Sequence, residues 1–88
     1  MADNEPSGAN LRAVILRLVA QRGPDRSMCP SEAARALAGD GWRDVMESVR
    51  EAARGLAREG VVEISQRGVV LDPDTAWAGP IRIRGRQP

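Results

Sequence analysis

The only cysteine of this chain, Cys29, stands directly before Pro30 in the stretch "MCPSEAARAL". A thiol at a helix N-terminus feels the positive end of the dipole, its pKa falls, and the thiolate becomes a nucleophile. Arg26, close by in sequence, would add to this. Catalysis by cysteine also draws on a base, most often histidine, and the chain has no histidine and no second cysteine to resolve an oxidised one. Cys29 is therefore expected to start a helix and to pack as a small apolar residue.

The hydroxyls of Ser27, Ser31, Ser48, Ser65 and Thr75 meet the same obstacle. Neither histidine nor lysine is present to activate them. Asp72 and Asp74 flank Pro73. They would suit a cation or an acid/base pair, but a "DPDT" run is more often turn chemistry. One cysteine without histidine makes no metal cluster of the usual ligands. No enzyme activity and no cofactor are expected.

Binding chemistry is better represented. All thirteen basic residues are arginine, against twelve acids, for a net charge of +1. A GC-rich coding sequence would produce the same lysine-free composition, yet arginine still offers a planar fork for phosphate, guanine or carboxylate. The arginines fall into two stripes. Arg43, Glu47, Arg50 and Arg54 lie three or four residues apart, on one face if that segment is helical. Arg82, Arg84 and Arg86 alternate with Ile81 and Ile83, as on the outer face of a strand.

The elements that must position these stripes are legible in the patterning. Residues 1–9 are polar, with Pro6 and Gly8, and are expected to be a disordered tail. Asn10 can cap "LRAVILRLVAQRG", where Leu11, Val14, Ile15, Leu18 and Val19 share a helical face up to the stop at Gly23-Pro24. A linker follows, with a short extended piece at 26–28. "CPSEAARALAGDG" predicts a second helix, with Cys29 as N-cap, Pro30 at the first position and Glu32 reaching back to the cap. Ala33, Ala34, Ala36 and Leu37 supply its close-packing face. "WRDVMESVREAARGLAREG" predicts a third helix that starts at Trp42 and is terminated by Gly60, with Val45, Val49, Ala52, Ala53 and Leu56 inward. Then come short β-branched runs, "VVEIS" and "GVVL", around Gly68, which allows a tight turn or a kink. The loop "DPDTAWAG" leads to the alternating "PIRIRGR".

Three helices followed by a small antiparallel sheet is the order of a winged helix-turn-helix, an α+β fold with the sheet as wing. The expected domain is 10–86, with 87–88 as a short tail. The pieces "CPSEAARAL", the Trp of "GDGWRDVM", "QRG" at 66–68, "DP" at 72–73 and "GPIRIR" at 79–84 together resemble a small bacterial winged-helix-like family of unknown function. The likeness spans about residues 11–86. It implies the fold and transfers no catalytic residue.

Two binding functions follow from that fold. In a winged helix the third helix enters the major groove. Arg43, Arg50 and Arg54, with Ser48 as a polar contact, would then face double-stranded DNA, and Arg67, Arg82, Arg84 and Arg86 would meet phosphates from the wing. Against this, residues 42–60 hold four arginines and four acids, the pattern of an ordinary salt-bridged helix surface, and Glu63 is placed to pair across the sheet with an arginine of the last strand. The alternative is a protein-interaction module on the same scaffold, with Trp77 in the loop as its anchor and Trp42 in the core. No apolar run has the length of a membrane span, and the acidic N-terminus is unlike a signal peptide, so a cytoplasmic protein is expected. Oligomeric state is not written in the sequence.

Overall fold

The structure, a computed structural model, describes residues 8–23 and 25–86. The remaining tail residues, 1–7 and 87–88, and Pro24 lie outside the described residues. Helix α1 spans Gly8–Arg22, α2 Pro30–Ala38 and α3 Met46–Arg58, with a 3-10 segment at Gly39–Val45. Strands β1 (Val62–Gln66), β2 (Val69–Val70) and β3 (Arg82–Gly85) form an antiparallel sheet in the order β2-β1-β3. The fold is α+β with a small three-stranded antiparallel sheet.

The core forms where the apolar faces of these elements meet. Leu11, Ile15 and Val19 of α1 are buried at four-residue spacing, with Val14 and Leu18 packed beside them. Val49, Ala53 and Leu56 come from α3, Ala33 and Ala34 from α2, and Val62, Ile64 and Ile83 from the sheet. Each large aliphatic buried in this way contributes about 1.5–3 kcal/mol relative to exposure. Ala33, Ala34 and Ala53 have no exposed surface. Ala36, expected on the packing face of α2, is exposed.

The sheet is tied back to the helices by one bridge. Met28, fully buried, exchanges both backbone hydrogen bonds with Ile83, each 2.8 Å. The short extended piece expected at 26–28 is therefore present at its last residue. It fixes the connection between α1 and α2 against β3.

Two boundaries differ from the sequence expectation. Helix α1 takes in Gly8 and Ala9, which patterning had assigned to the tail. The third helix does not begin at Trp42. Gly39–Val45 winds as 3-10 with a non-helical Gly41, and α3 proper starts at Met46. Two glycines in three residues lack the side chains and the intrinsic preference that would carry an α-helix through. Gly39, at φ 56, closes α2 instead. The end falls where Gly60 was expected to terminate the helix: α3 stops at Arg58, Glu59 is the C-cap, and Gly60 at φ 79 turns the chain into the sheet.

Between β1 and β2, Gly68 marks a tight turn and not a kink. Arg67 and Gly68 both have positive φ, 53 and 83, as a type I′ hairpin turn requires.

Candidate functional site

The expected helix stripe is differently employed from what its spacing implied. Arg50, Arg54 and Arg58 stand at four-residue intervals on α3 and all three reach the loop between β2 and β3. Arg50 donates to the carbonyls of Trp77 (3.0 Å) and Gly79 (3.2 Å). Arg54 donates to the carbonyls of Pro73 and Thr75, and its guanidinium stacks 4.0 Å from the centre of the Trp77 ring. Arg58 pairs with Asp74 at 2.7 Å. From the other side, Gln66 of β1 donates to the carbonyls of Ala78 and Pro80. Arg50 and Arg54 are therefore half-buried clamps. The reason is physical: loop carbonyls without ladder partners accept from the strongest donors within reach.

Trp77 itself is held, not mobile. It is half-buried against the core, and its indole N–H donates to the Asp72 carbonyl at 3.1 Å. Asp72 also caps its own turn, accepting from the N–H of Asp74 at 2.8 Å, so the turn reading of "DPDT" holds. Trp42 is half-buried at the edge of the core, with Arg35 and Arg43 each 4.5 Å from its ring centre. Arg43 is thus engaged by an aromatic ring, although it is exposed.

The first two turns of α3 present acids to solvent, while Arg58, exposed at the helix end, is paired with Asp74. Glu47 and Glu51 are exposed, as are Asp44 just before the helix and Ser48 within it. Glu51 also approaches Arg54, 3.4 Å away. The shallow groove between α1 and α3 is lined by Arg12, Glu47, Ser48 and Glu51 over Leu11, Ala52 and Gly55. Arg12 is not free there. It makes a two-pronged pair with Glu59, 2.7 and 2.9 Å. That pair holds the Glu59 carboxyl below the usual carboxylate range, chiefly through the hydrogen bonds from Arg12, and raises Arg12 in turn.

The sheet stripe is more available. Arg84 pairs with Glu63, its directly opposite residue, at 2.6 Å. Arg82 has no carboxylate partner among the described residues. It donates to the Ser27 hydroxyl and the Ser27 carbonyl, both at 2.9 Å. Arg86 and Arg67 are exposed, and neither has a carboxylate partner among the described residues.

Arg82 lines two adjoining depressions. One is bounded by Gln66, Arg67, Ala78, Gly79 and Pro80; the other by Arg22, Arg26 and Ser27. The structure thus brings together Arg22, Arg26, Arg67 and Arg82 along the sheet side. Arg22 and Arg26 were not singled out as binding residues. Ser27 and Arg82 are fifty-five positions apart, and no local pattern signals such a meeting.

Cys29 caps α2 in extended conformation. Glu32 accepts from its backbone N–H at 3.1 Å, and the Ser31 hydroxyl points to its sulfur at 3.1 Å. Among the described residues no group of three or more metal-ligating side chains exists. No helix there is long and apolar enough to cross a membrane.

The family model described as "Protein of unknown function (DUF3253)" matches residues 8–86, and the chain belongs to that family. No curated protein matches the chain.

Proposed function

We propose that this chain is a nucleic-acid-binding domain of winged-helix type that meets phosphates with its sheet side. The carrying observation is the run of arginines Arg67, Arg82, Arg26 and Arg22 along two depressions that share Arg82. The carboxylate pair on that run is Glu32 with Arg22. A positive strip of this kind is the electrostatic footprint of phosphate binding.

The winged-helix assignment is supported by element order: α1, the bridged Met28, α2, α3 and then the hairpin and β3. The surface argues for a particular docking side. Acids on the open face of α3 repel phosphate, and Arg50 and Arg54 are spent on the loop. Arg43 and Ser48 stay at the margin of such a contact. Arg67 and Arg82 become its centre, with Arg84 muted by Glu63 and Arg86 at its end.

Protein interaction is the second reading, and one observation favours it. The short edge strand β2 exposes Val69 and Val70, 63% and 55% accessible, and an open edge can pair with another chain. The pinning of Trp77 by Arg54 makes that residue a poor anchor for it.

The test is fluorescence anisotropy of a random-sequence duplex at two salt concentrations. The expected result is a dissociation constant on the order of 1–100 μM at low salt, rising steeply with added salt. Absence of binding at low salt would leave protein interaction as the function.

A further inference from the structure

Two guanidinium groups converge on one oxygen at the junction of α1, the connection to α2, and β3. Arg22 Nη1 and Arg82 Nη2 both donate to the carbonyl of Ser27, at 3.0 and 2.9 Å. Arg82 Nε takes the Ser27 hydroxyl at 2.9 Å. Arg26 lines the same pocket, which is open and about 490 Å³ in volume. Bringing like charges to a shared acceptor is unfavourable unless an anion compensates.

The nearest carboxylate does not supply that compensation in full. Glu32 gives one oxygen to Arg22 and the other to the backbone N–H of Cys29. Both of its oxygens are committed, and neither reaches Arg26 or Arg82. Asp25, exposed beside Arg26 in the chain, does not line the pocket. Three guanidiniums and a hydroxyl therefore surround a space with one paired carboxylate at its edge.

We propose that Arg22, Arg26, Ser27 and Arg82 form a seat for one phosphate group. Arginine forks match tetrahedral oxyanions with two parallel N–H donors each. Arg26 would close on the ligand from the side that is now empty of partners among the described residues, and Arg82 would hold it while keeping Ser27 in place. The occupant that follows from the proposed function is a backbone phosphate of nucleic acid, so in that respect the seat rests on that reading. The chemistry is shared by a free phosphate or a small phosphoester.

The test uses the whole chain and inorganic phosphate as the probe, at constant ionic strength of about 0.15 M, where long-range attraction is screened. Amide and arginine Nε resonances are followed by NMR. The expected result is a saturable shift confined to Ser27, Arg26 and Arg82, absent with chloride. In Arg26→Gln the affinity falls about tenfold, the scale of one charge-assisted contact. The Arg26 side chain has no hydrogen-bond or ion-pair partner among the described residues, and its backbone N–H keeps the Gly23 carbonyl in the variant, so this variant folds as the parent does. Arg17→Gln, on an exposed turn of α1, leaves the phosphate affinity unchanged. Shifts that never saturate, or that spread evenly over Arg17, Arg43 and Arg86, would overturn the seat, as would equal affinity in Arg26→Gln.

A duplex then separates the sources. If it shifts the Ser27 and Arg82 signals and phosphate competes with it, the seat holds backbone phosphate. If phosphate saturates the seat while the duplex does not bind, the seat stands for a small phosphate ligand and the nucleic-acid reading falls. If the duplex binds and phosphate does not, the reading stands and the seat falls.

Discussion

At the scale of single residues, Arg67 is the clearest exception to local preference. It holds φ 53 at the hairpin tip, in the left-handed region where an L side chain with a β-carbon costs about 1 kcal/mol. Asparagine tolerates that region far better. Arg67→Asn is expected to raise stability by about 0.5 kcal/mol, seen as a higher melting temperature, and to weaken nucleic-acid binding at the same time. A variant that melts lower than the parent would contradict the turn geometry. Cys29 shows the opposite case, where the local pattern was sufficient. Cysteine before proline, with glutamate three residues on, spelled out a helix start, and the hydrogen bond from its N–H to Glu32 is the expected one.

At the scale of elements, α3 illustrates what periodicity does and does not reveal. The four-residue spacing of Arg50, Arg54 and Arg58 was plain in the sequence and placed them on one flank. It did not say that the loop at 72–79 would lie over that flank, because the partners are backbone carbonyls, which every residue possesses. Arg54→Ala should therefore destabilise the domain by about 1–3 kcal/mol, through two lost charge-assisted hydrogen bonds and the ring contact. The Trp77 indole N–H should lose protection from exchange in that variant, measured by NMR. Unchanged protection would mean that the clamp does not hold the loop.

The Arg12–Glu59 pair joins α1 to the end of α3 in a similar way. Because folding lowers the Glu59 pKa, the pair's contribution is present above the unfolded carboxylate pKa and is lost as pH falls through the folded value. The two side chains keep 37% and 51% of their surface exposed, so solvent screening keeps the effect small. Glu59→Gln is expected to flatten the acid limb of the stability curve, measured by urea denaturation between neutral pH and the carboxylate range. An identical acid limb in both proteins would contradict it. The 3-10 segment was missed for a related reason. Trp42, Val45 and Met46 keep helical spacing, and only the glycines at 39 and 41 argued otherwise.

At the scale of the whole molecule, the α+β architecture was legible because each apolar pattern has a single period. Leu11, Ile15 and Val19 repeat as a helix does; Ile81 and Ile83 alternate as a strand does. That Glu63 pairs across the sheet with an arginine of the last strand was legible for the same reason; the register that makes the partner Arg84 came only with the fold. Of the sheet-side strip, Arg67 and Arg82 were legible as wing arginines, but their company with Arg22 and Arg26 was not. The strip is assembled from the end of α1, a linker and the last strand, and such a meeting exists only after folding. The charge balance of the whole chain conceals it as well, because the side chains of seven of the thirteen arginines, Arg12, Arg22, Arg50, Arg54, Arg58, Arg82 and Arg84, make intramolecular hydrogen bonds, while those of Arg26, Arg67 and Arg86 have no carboxylate partner among the described residues.

The central claim is that phosphates meet the sheet side and not the open face of α3. Mapping of amide shifts on adding a short duplex to the full chain at low salt tests it most directly. The largest shifts are expected at Arg26, Ser27, Arg67 and Arg82, collapsing together as salt is raised. Largest shifts at Asp44, Glu47, Ser48 and Glu51 would contradict it.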